Sequence, residues 1–496
     1  MQTLLTSTQM RSADKFTISS TPIASIDLME NAARAFTRCF LKDEFDTNKN
    51  IAIFCDKGNN GGDGLAIAHN LLLNGYKNIK VYIVNFSDKE SPDFTINFQR
   101  FNESGCKKVI INKPADLKNI SADLIIDAIL GSGLNRILSG DYLQLVHKIN
   151  SFGKKVYAVD IPTGFFGEGS LPEEYQGIRA FKTISFERPK INFFFPESSF
   201  ATGQFEVVHI GLDNDYIQKQ ESRFYLTEPQ DIHKKIKPRK SFTHKGTYGH
   251  ALIVAGDTNT MGAALLSCKA CLHSGAGLTT ACIPHSGLTA LNTSLPEVMA
   301  LDRTGISKVE NYSAIAIGPG LGKSAESERI LEELISTNAP LVIDADALNI
   351  LAERKDLLAK ISKKSILTPH IKEFDRIFGQ HQNWWDRVET AMKRAAELDI
   401  IIILKNQFTF ICAPNEKVYI NPTGNPAMAQ GGMGDVLTGI IVALVAQKYS
   451  PLDASILACY LHGKAGDSLA MEKAIVTASE VAARISVELK AVAFGS

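Results

Sequence analysis

The sequence predicts an α/β protein of two domains, each built on a mainly parallel sheet. Three observations lead there. At 496 residues the chain exceeds what one ordinary core accommodates. From about residue 50, apolar runs of strand length alternate with helical patterns: IAIFC, GLAIAHNLLLNG, KVYIVN, DLIIDAIL, KKVYAVD and QFEVVHI. Such alternation is the mark of βαβ units. The rhythm breaks in the charged stretch between Asp213 and Lys245, then restarts at HALIVAG and runs through AIAIGPGLG, APLVIDAD, SILTPH, IIIILK and KVYINPTGN. A boundary near residue 222 follows, giving domains 1–222 and 223–496.

Composition narrows the function classes. Hydrophobic residues make up 45% and charged residues 21%, as in a globular protein, and the 53 basic and 53 acidic residues cancel. That balance removes the charge argument for nucleic-acid or anionic-membrane partners. The start MQTLLTSTQMRSADK has no basic segment followed by an apolar run, and IIVALVA is too short to span a bilayer, so a cytoplasmic location is expected. Cys268-Lys-Ala-Cys271 reads as two small apolar residues on one helix face, and Trp384-Trp385 as a packing or subunit contact.

The first dense motif is GNNGGDG, Gly58 to Gly64, directly after the strand Ile51–Cys55. The helix is expected from Asp63 onward, leaving the glycines on the turn at the carboxyl edge of the sheet, where open α/β folds bind ligands. Glycines there let backbone amides approach a phosphate. The spacing is neither GxGxxG nor a P-loop. Two more strands end at the same edge, DLIIDAIL before Gly131-Ser-Gly and VYAVD before Ile161-Pro-Thr-Gly. Oxygens from Asn60, Asp127 and Thr163 suit a hard cation, and Asp160 suits an acid or base, although either aspartate serves equally as a structural cap.

The second dense motif, GNPAMAQGGMGDVLTGII, runs from Gly424 to Ile441. Gly431, Gly432, Met433 and Gly434 would set amide donors at the start of a buried helix, with Asp435 in its first turn. Phosphoryl transfer needs such donors and a base for the attacking hydroxyl. A plain helix cap is the alternative for Asp435.

Taken in order, LMENAA, DKGNNGGDG, DAILGSGL and VDIPTG over about residues 1 to 215 resemble the amino-terminal, Rossmann-like three-layer epimerase domain of bifunctional NAD(P)H-hydrate repair enzymes. KGTYGHALIVAG, MGAALLSCKACLHSGAGL, GPGLG, VIDADAL, TPH and NPTGNPAMAQGGMGDVLTG over about 240 to 490 resemble their carboxyl-terminal, ribokinase-like dehydratase domain. The first resemblance implies epimerisation of the R and S hydrates of NADH and NADPH. Asn59, Asn60, Gly61, Gly62, Asp63, Gly131, Ser132, Gly133, Leu134, Asn135, Arg136, Ile137 and Asp160 would bind the hydrate, and Asn60, Asp127 and Thr163 would hold potassium.

The second resemblance implies dehydration of the S hydrate with ADP as co-substrate and magnesium in that domain. Asp435 would be the base, Gly431 to Gly434 the anion hole, and Ala263, Gly320, Gly322, His370 and Asp435 the hydrate contacts; Lys405, Asn406, Gln407, Phe408, Thr409 and Gly434 would contact ADP. A homo-oligomer is likewise implied.

Four positions depart from the family pattern: Asp56 in place of glycine, Thr163 in place of serine, Ile371-Lys372 where Pro-Gly follows the histidine, and Phe408 in the nucleotide segment. A competing expectation is an ATP-dependent small-molecule kinase carrying a non-catalytic nucleotide-binding amino-terminal module, since donors and a base serve any phosphoryl transfer.

Overall fold

The computed structural model describes residues 1–134, 136–306 and 309–494. It resolves into two compact units. One is Thr3–Ser222 with Asn383–Trp385; the other is Met1–Gln2, Arg223–Gln382 and the chain from Asp386 on.

The first unit is built on seven parallel strands: β1 (Ile51–Cys55), β2 (Ile79–Val84), β3 (Lys107–Ile111), β4 (Leu124–Ala128), β5 (Lys155–Val159), β6 (Lys182–Phe186) and β7 (Gln204–Val208). Their order is β3-β2-β1-β4-β5-β6-β7, with every pairing parallel. Strands β1 and β4 are buried at every position, as strands covered on both faces must be. Phe36, Phe40, Leu65, Ile67 and Leu71 pack on one face, while Leu145, Val146 and Ile149 pack on the other, which gives three layers. Strand order reverses between β1 and β4, so a crevice opens where the loops after them diverge.

One expectation needs correcting. The helix after β1 runs Asn59–Leu73, beginning four residues earlier than Asp63, so Gly61, Gly62 and Gly64 lie inside it rather than on a turn. Packing explains the density of glycine better than phosphate binding does. A Cβ on Gly61 would sit 1.5 Å from the Asp56 carbonyl oxygen, and one on Gly64 would meet the Ala128 Cβ at 2.5 Å and the Cys55 Sγ at 2.7 Å. The helix can therefore lie directly against β1 and β4.

The second unit carries an eleven-stranded sheet. Ten of its strands are β8 (Phe224–Leu226), β9 (His250–Val254), β10 (Leu278–Ile283), β11 (Met299–Asp302), β12 (Ala314–Ile317), β13 (Leu341–Ile343), β14 (Ile366–Leu367), β15 (Ile401–Leu404), β16 (Thr409–Cys412) and β17 (Val418–Asn421). They run in the order β8-β17-β16-β15-β14-β13-β12-β9-β10-β11. Pairing is parallel from β11 to β15 and turns antiparallel at β15-β16 and β16-β17. Here the reversal falls between β9 and β12.

Helix Met433–Ala446 is apolar along its length and buried from Val436 through Leu444. It crosses helix Met261–His273 closely enough that a Cβ on Gly439 would lie 2.1 Å from the Ser267 carbonyl oxygen. Cys268 and Cys271 are buried in that second helix, as their apolar reading requires.

Candidate active sites

The crevice of the first unit is a cavity of about 640 Å³. Asn59, Asn60 and Asp63 reach it from the helix after β1, Gly131 to Leu134 from the loop after β4, and Asp160 from the end of β5. Gly61 and Gly62 are not in its lining, being turned into the packed side of their helix. Arg136 and Ile137 are exposed and also outside it, whereas Asn135 lies outside the described residues.

Asp160 is held in a left-handed conformation, φ 63°, uncommon for a residue with a side chain. Its Oδ1 accepts from the Lys190 ammonium at 2.7 Å, the Phe186 N–H at 3.0 Å and the Ser185 hydroxyl at 3.2 Å. The contacts fix the carboxylate at the cavity wall. Sequence reasoning did not find Lys190, although a lysine directly before the apolar run INFFF signals an ammonium that burial forces into a partnership.

It also missed the wall made by helix Ser7–Ser20, which brings Met10, Arg11, Asp14, Lys15 and Ile18 to the cavity. Burial, with Asp160 nearby, pushes Asp14 up to about 6. Asp63 is pushed well above the usual carboxylate range, again by burial first and then by Asp160, Asp14 and Asp93.

Behind this wall Asp127 is buried. Its Oδ2 accepts from the Thr163 N–H at 2.8 Å, and its Oδ1 from the Thr163 hydroxyl at 2.7 Å and the Ile129 N–H at 3.2 Å. Desolvation raises it to about 6, against those hydrogen bonds. Among the described residues no ammonium, guanidinium or imidazole pairs with it. Asn60 packs beside Gly131, and its Nδ2 is buried without an acceptor. Asp56, which stands in place of the family's glycine, is buried; the Tyr142 hydroxyl donates to it at 3.2 Å, and burial raises its pKa against that bond.

In the second unit the loops after β9 and β12 meet at the reversal of strand order. Gly320, φ 56°, fits against Ala263 so closely that a Cβ would stand 2.9 Å from the alanine methyl. The Gly322 amide donates to Asp346 Oδ2 at 2.9 Å. His370 caps helix Ile371–Phe378: its Nδ1 accepts from the Lys372 and Glu373 amides at 3.1 and 3.3 Å, while Glu373 returns a bond to the His370 N–H at 2.8 Å. This reciprocal cap forms without the Pro-Gly that the family pattern places there.

Asp435 occupies the first turn of helix Met433–Ala446, after Gly432 at φ 89°. Among the described residues no hydrogen bond or ion pair holds its carboxylate. It therefore makes no side-chain cap, which leaves favourable interaction with the helix dipole as its structural role. Burial raises it to about 7, Asp344 adds to the rise, and Lys405 works against it.

Below lies a charged pair whose lysine the sequence offered as an ADP contact and whose aspartate it recorded only as part of VIDADAL. Lys405 Nζ donates to Asp344 Oδ1 at 2.8 Å, and the Thr438 hydroxyl donates to Oδ2 at 2.8 Å. Burial opposes both charges, yet Lys405 keeps Asp344 below its ordinary value, while Asp344 and Glu373 hold Lys405 above its own. Gly434 sits directly over the pair, its absent Cβ 3.3 Å from Nζ and 3.5 Å from Asp344 Oδ2. Helix amides and a half-buried ammonium thus converge under one small residue.

A cavity of about 410 Å³ opens beside it, lined by Lys405, Asn406, Gln407, Thr409 and Gly434, but not by Phe408. Most of this set comes from the antiparallel turn between β15 and β16. His462 also lines it, with a buried Nε2 that has no partner, and burial pushes its pKa down to about 4, so the ring is neutral.

Comparisons with known proteins cover both units. A family model described as NAD(P)H-hydrate dehydratase matches residues 251–487, and one described as YjeF-related protein N-terminus matches residues 25–192. The chain is 35% identical to a bifunctional NAD(P)H-hydrate repair enzyme of Moorella thermoacetica, over 95% of this chain and 93% of that one. It is 33% identical to that of Escherichia coli, over 84% and 80%. Among solved structures, a Streptococcus mutans protein aligns with TM-score 0.51 and 31% identity, over 54% of this chain and all of its own (100%). A ribokinase-like superfamily protein of Enterococcus faecalis aligns with TM-score 0.51 and 28% identity, over 55% and 98%.

Proposed function

The chain belongs to the bifunctional NAD(P)H-hydrate repair enzymes, and on that premise we propose how its two sites divide the work. The first unit interconverts the R and S hydrates of NADH and NADPH; the second dehydrates the S form and restores the reduced nicotinamide. The observation that carries the second assignment is Asp435, unbound, with a pKa near 7, at the amino end of a helix and above a half-buried ammonium.

With ADP bound along Lys405, Asn406, Gln407 and Thr409, the amides of Gly431 to Gly434 face the terminal phosphoryl group. Asp435 takes the proton from the C6 hydroxyl as its oxygen bonds to phosphorus and the bond to the AMP oxygen breaks. The ester then leaves C6 as phosphate while a proton leaves C5, which regenerates the ring double bond. A free hydroxyl is a poor leaving group and phosphate a good one. Magnesium would arrive on the nucleotide phosphates, as it usually does. Among the described residues no cluster of three or more His, Cys, Asp or Glu side chains is placed to hold a metal.

In the first unit, Asn60, Asp127 and Thr163 suit potassium. Asp127 is a buried carboxylate with no cationic partner, the set is all oxygen, and the unpaired Asn60 amide can turn its oxygen inward without losing a hydrogen bond. When bound, potassium would offset the Asp127 charge and stiffen the β4 and β5 loops. Asp160, oriented by Lys190, exchanges the proton of the substrate hydroxyl.

Among the described residues no helix is long and apolar enough to cross a membrane. A cytoplasmic homo-oligomer is the state the family resemblance implies. The test is to give the full chain S hydrate with magnesium and either ADP or ATP. Recovery of nicotinamide absorbance with ADP is expected, and no recovery with either nucleotide would oppose the dehydratase reading.

A further inference from the structure

Inverting the ring carbon C6 requires a proton to be handled on both of its faces. A carboxylate takes the hydroxyl proton; the freed pair forms C6=O as the C6–N1 bond breaks, and the C6–N1 pair rests on N1, conjugated with the carboxamide. Rotation about C5–C6 presents the other carbonyl face to N1, the bond re-forms, and the oxygen takes a proton on its new side. No oxidant or reductant enters. Asp160 is fixed by Lys190, Phe186 and Ser185 and does not follow the oxygen from one side to the other.

We propose that Asp14, on the wall formed by helix Ser7–Ser20, is the second proton-transfer group of this site, serving the face that Asp160 does not. This rests on the epimerase reading. Asp14 lines the same cavity, and among the described residues it makes no hydrogen bond or ion pair, so its carboxyl is free to exchange with a ligand. Other candidates are committed or remote from exchange. Asp93 accepts the Ser25 hydroxyl at 2.5 Å, and burial raises Asp63 well above the usual carboxylate range.

The groups facing Asp14 are Asp160, Lys190 and Glu187 from the sheet side and Asp63 from the helix after β1, with Arg11 and Lys15 beside it on its own helix. Burial first, then Asp160 and Glu187 against Lys190, leave it near 6, where both protonation states are populated close to neutrality.

The experiment compares Asp14→Asn and Asp14→Glu in the full chain, given pure R hydrate of NADPH. The asparagine variant should lose at least about 100-fold in kcat with KM within about threefold, and the glutamate variant should recover a tenth or more of the wild-type rate. Dehydration of pure S hydrate, carried by the other unit, should be unchanged in both. An unchanged kcat, a raised KM with kcat intact, or a loss that glutamate does not relieve would overturn the proposal. Failure of the unaltered chain to convert R to S would instead defeat the epimerase reading beneath it.

Discussion

Each unit brings an aspartate to the ligand-binding edge of a parallel sheet, and the two surround it differently. Asp160 is tethered by an ammonium, an amide and a hydroxyl inside a cavity rich in further carboxyls, Asp14, Asp63 and Asp93. Asp435 has no tether, and its nearest cation, Lys405, is engaged one layer below with Asp344. The difference follows from the chemistry. Epimerisation opens and re-closes the C6–N1 bond, and all it asks of the protein is proton transfer, so it needs several groups that can hold a proton. Phosphoryl transfer needs one base of suitable strength together with donors for the travelling charge.

The comparison breaks most readily at the two aspartates. Asp435→Asn should lower dehydration about 1,000-fold and leave R-to-S conversion intact, measured on the two hydrates separately. Asp160→Asn should do the reverse with a loss of about 100-fold; a variant that loses both activities together would contradict the division of labour.

Next comes the buried pair. Lys405→Met leaves Asp344 charged and unpaired, which should cost about 3–5 kcal/mol in denaturant unfolding of the second unit, and more than Asp344→Asn costs. In the first unit Gly61→Ala drives a methyl into the Asp56 carbonyl. It should destabilise by about 3 kcal/mol and weaken epimerisation, with dehydration unaffected.

The smallest effect is a pH signature. Asp435 sits near 7 when folded, above its unfolded value, so the stability it contributes is present below about 4 and lost as pH rises through about 7. Asp435→Asn should therefore melt higher than the parent at pH 8, by roughly 2–4 °C for each kcal/mol recovered, and show no such gain at pH 4. Activity runs the other way: as the base must be ionised, kcat/KM for dehydration should climb to about pH 7 and level off above it.

Much of this was legible in the sequence. Strand-length apolar runs gave both sheets, the motifs after β1 and β5 placed Asn60 and Asp160 at the carboxyl edge of the first sheet, and GGMGD placed Asp435 in the first turn of a buried helix. GNNGGDG misled because glycine serves close packing as readily as it serves a phosphate, and the local sequence does not say which neighbour approaches. Asp14 left no mark, since its helix reaches the cavity only through tertiary packing. Lys190 and Asp344 were visible as charges bordering apolar runs, but each acquires meaning from a partner 30 or 61 residues away. The turn between β15 and β16 depended on an antiparallel hairpin that a search for alternating βαβ units does not anticipate.

The most direct test follows nicotinamide absorbance after the full chain meets R hydrate alone with magnesium and ADP. Full recovery is predicted for the unaltered chain. Asp160→Asn should stall on R hydrate yet process added S hydrate at the parental rate, and Asp435→Asn should accumulate S hydrate without recovery. Rapid recovery from R hydrate by Asp160→Asn, or from S hydrate by Asp435→Asn, would contradict the assignment of one aspartate to each reaction.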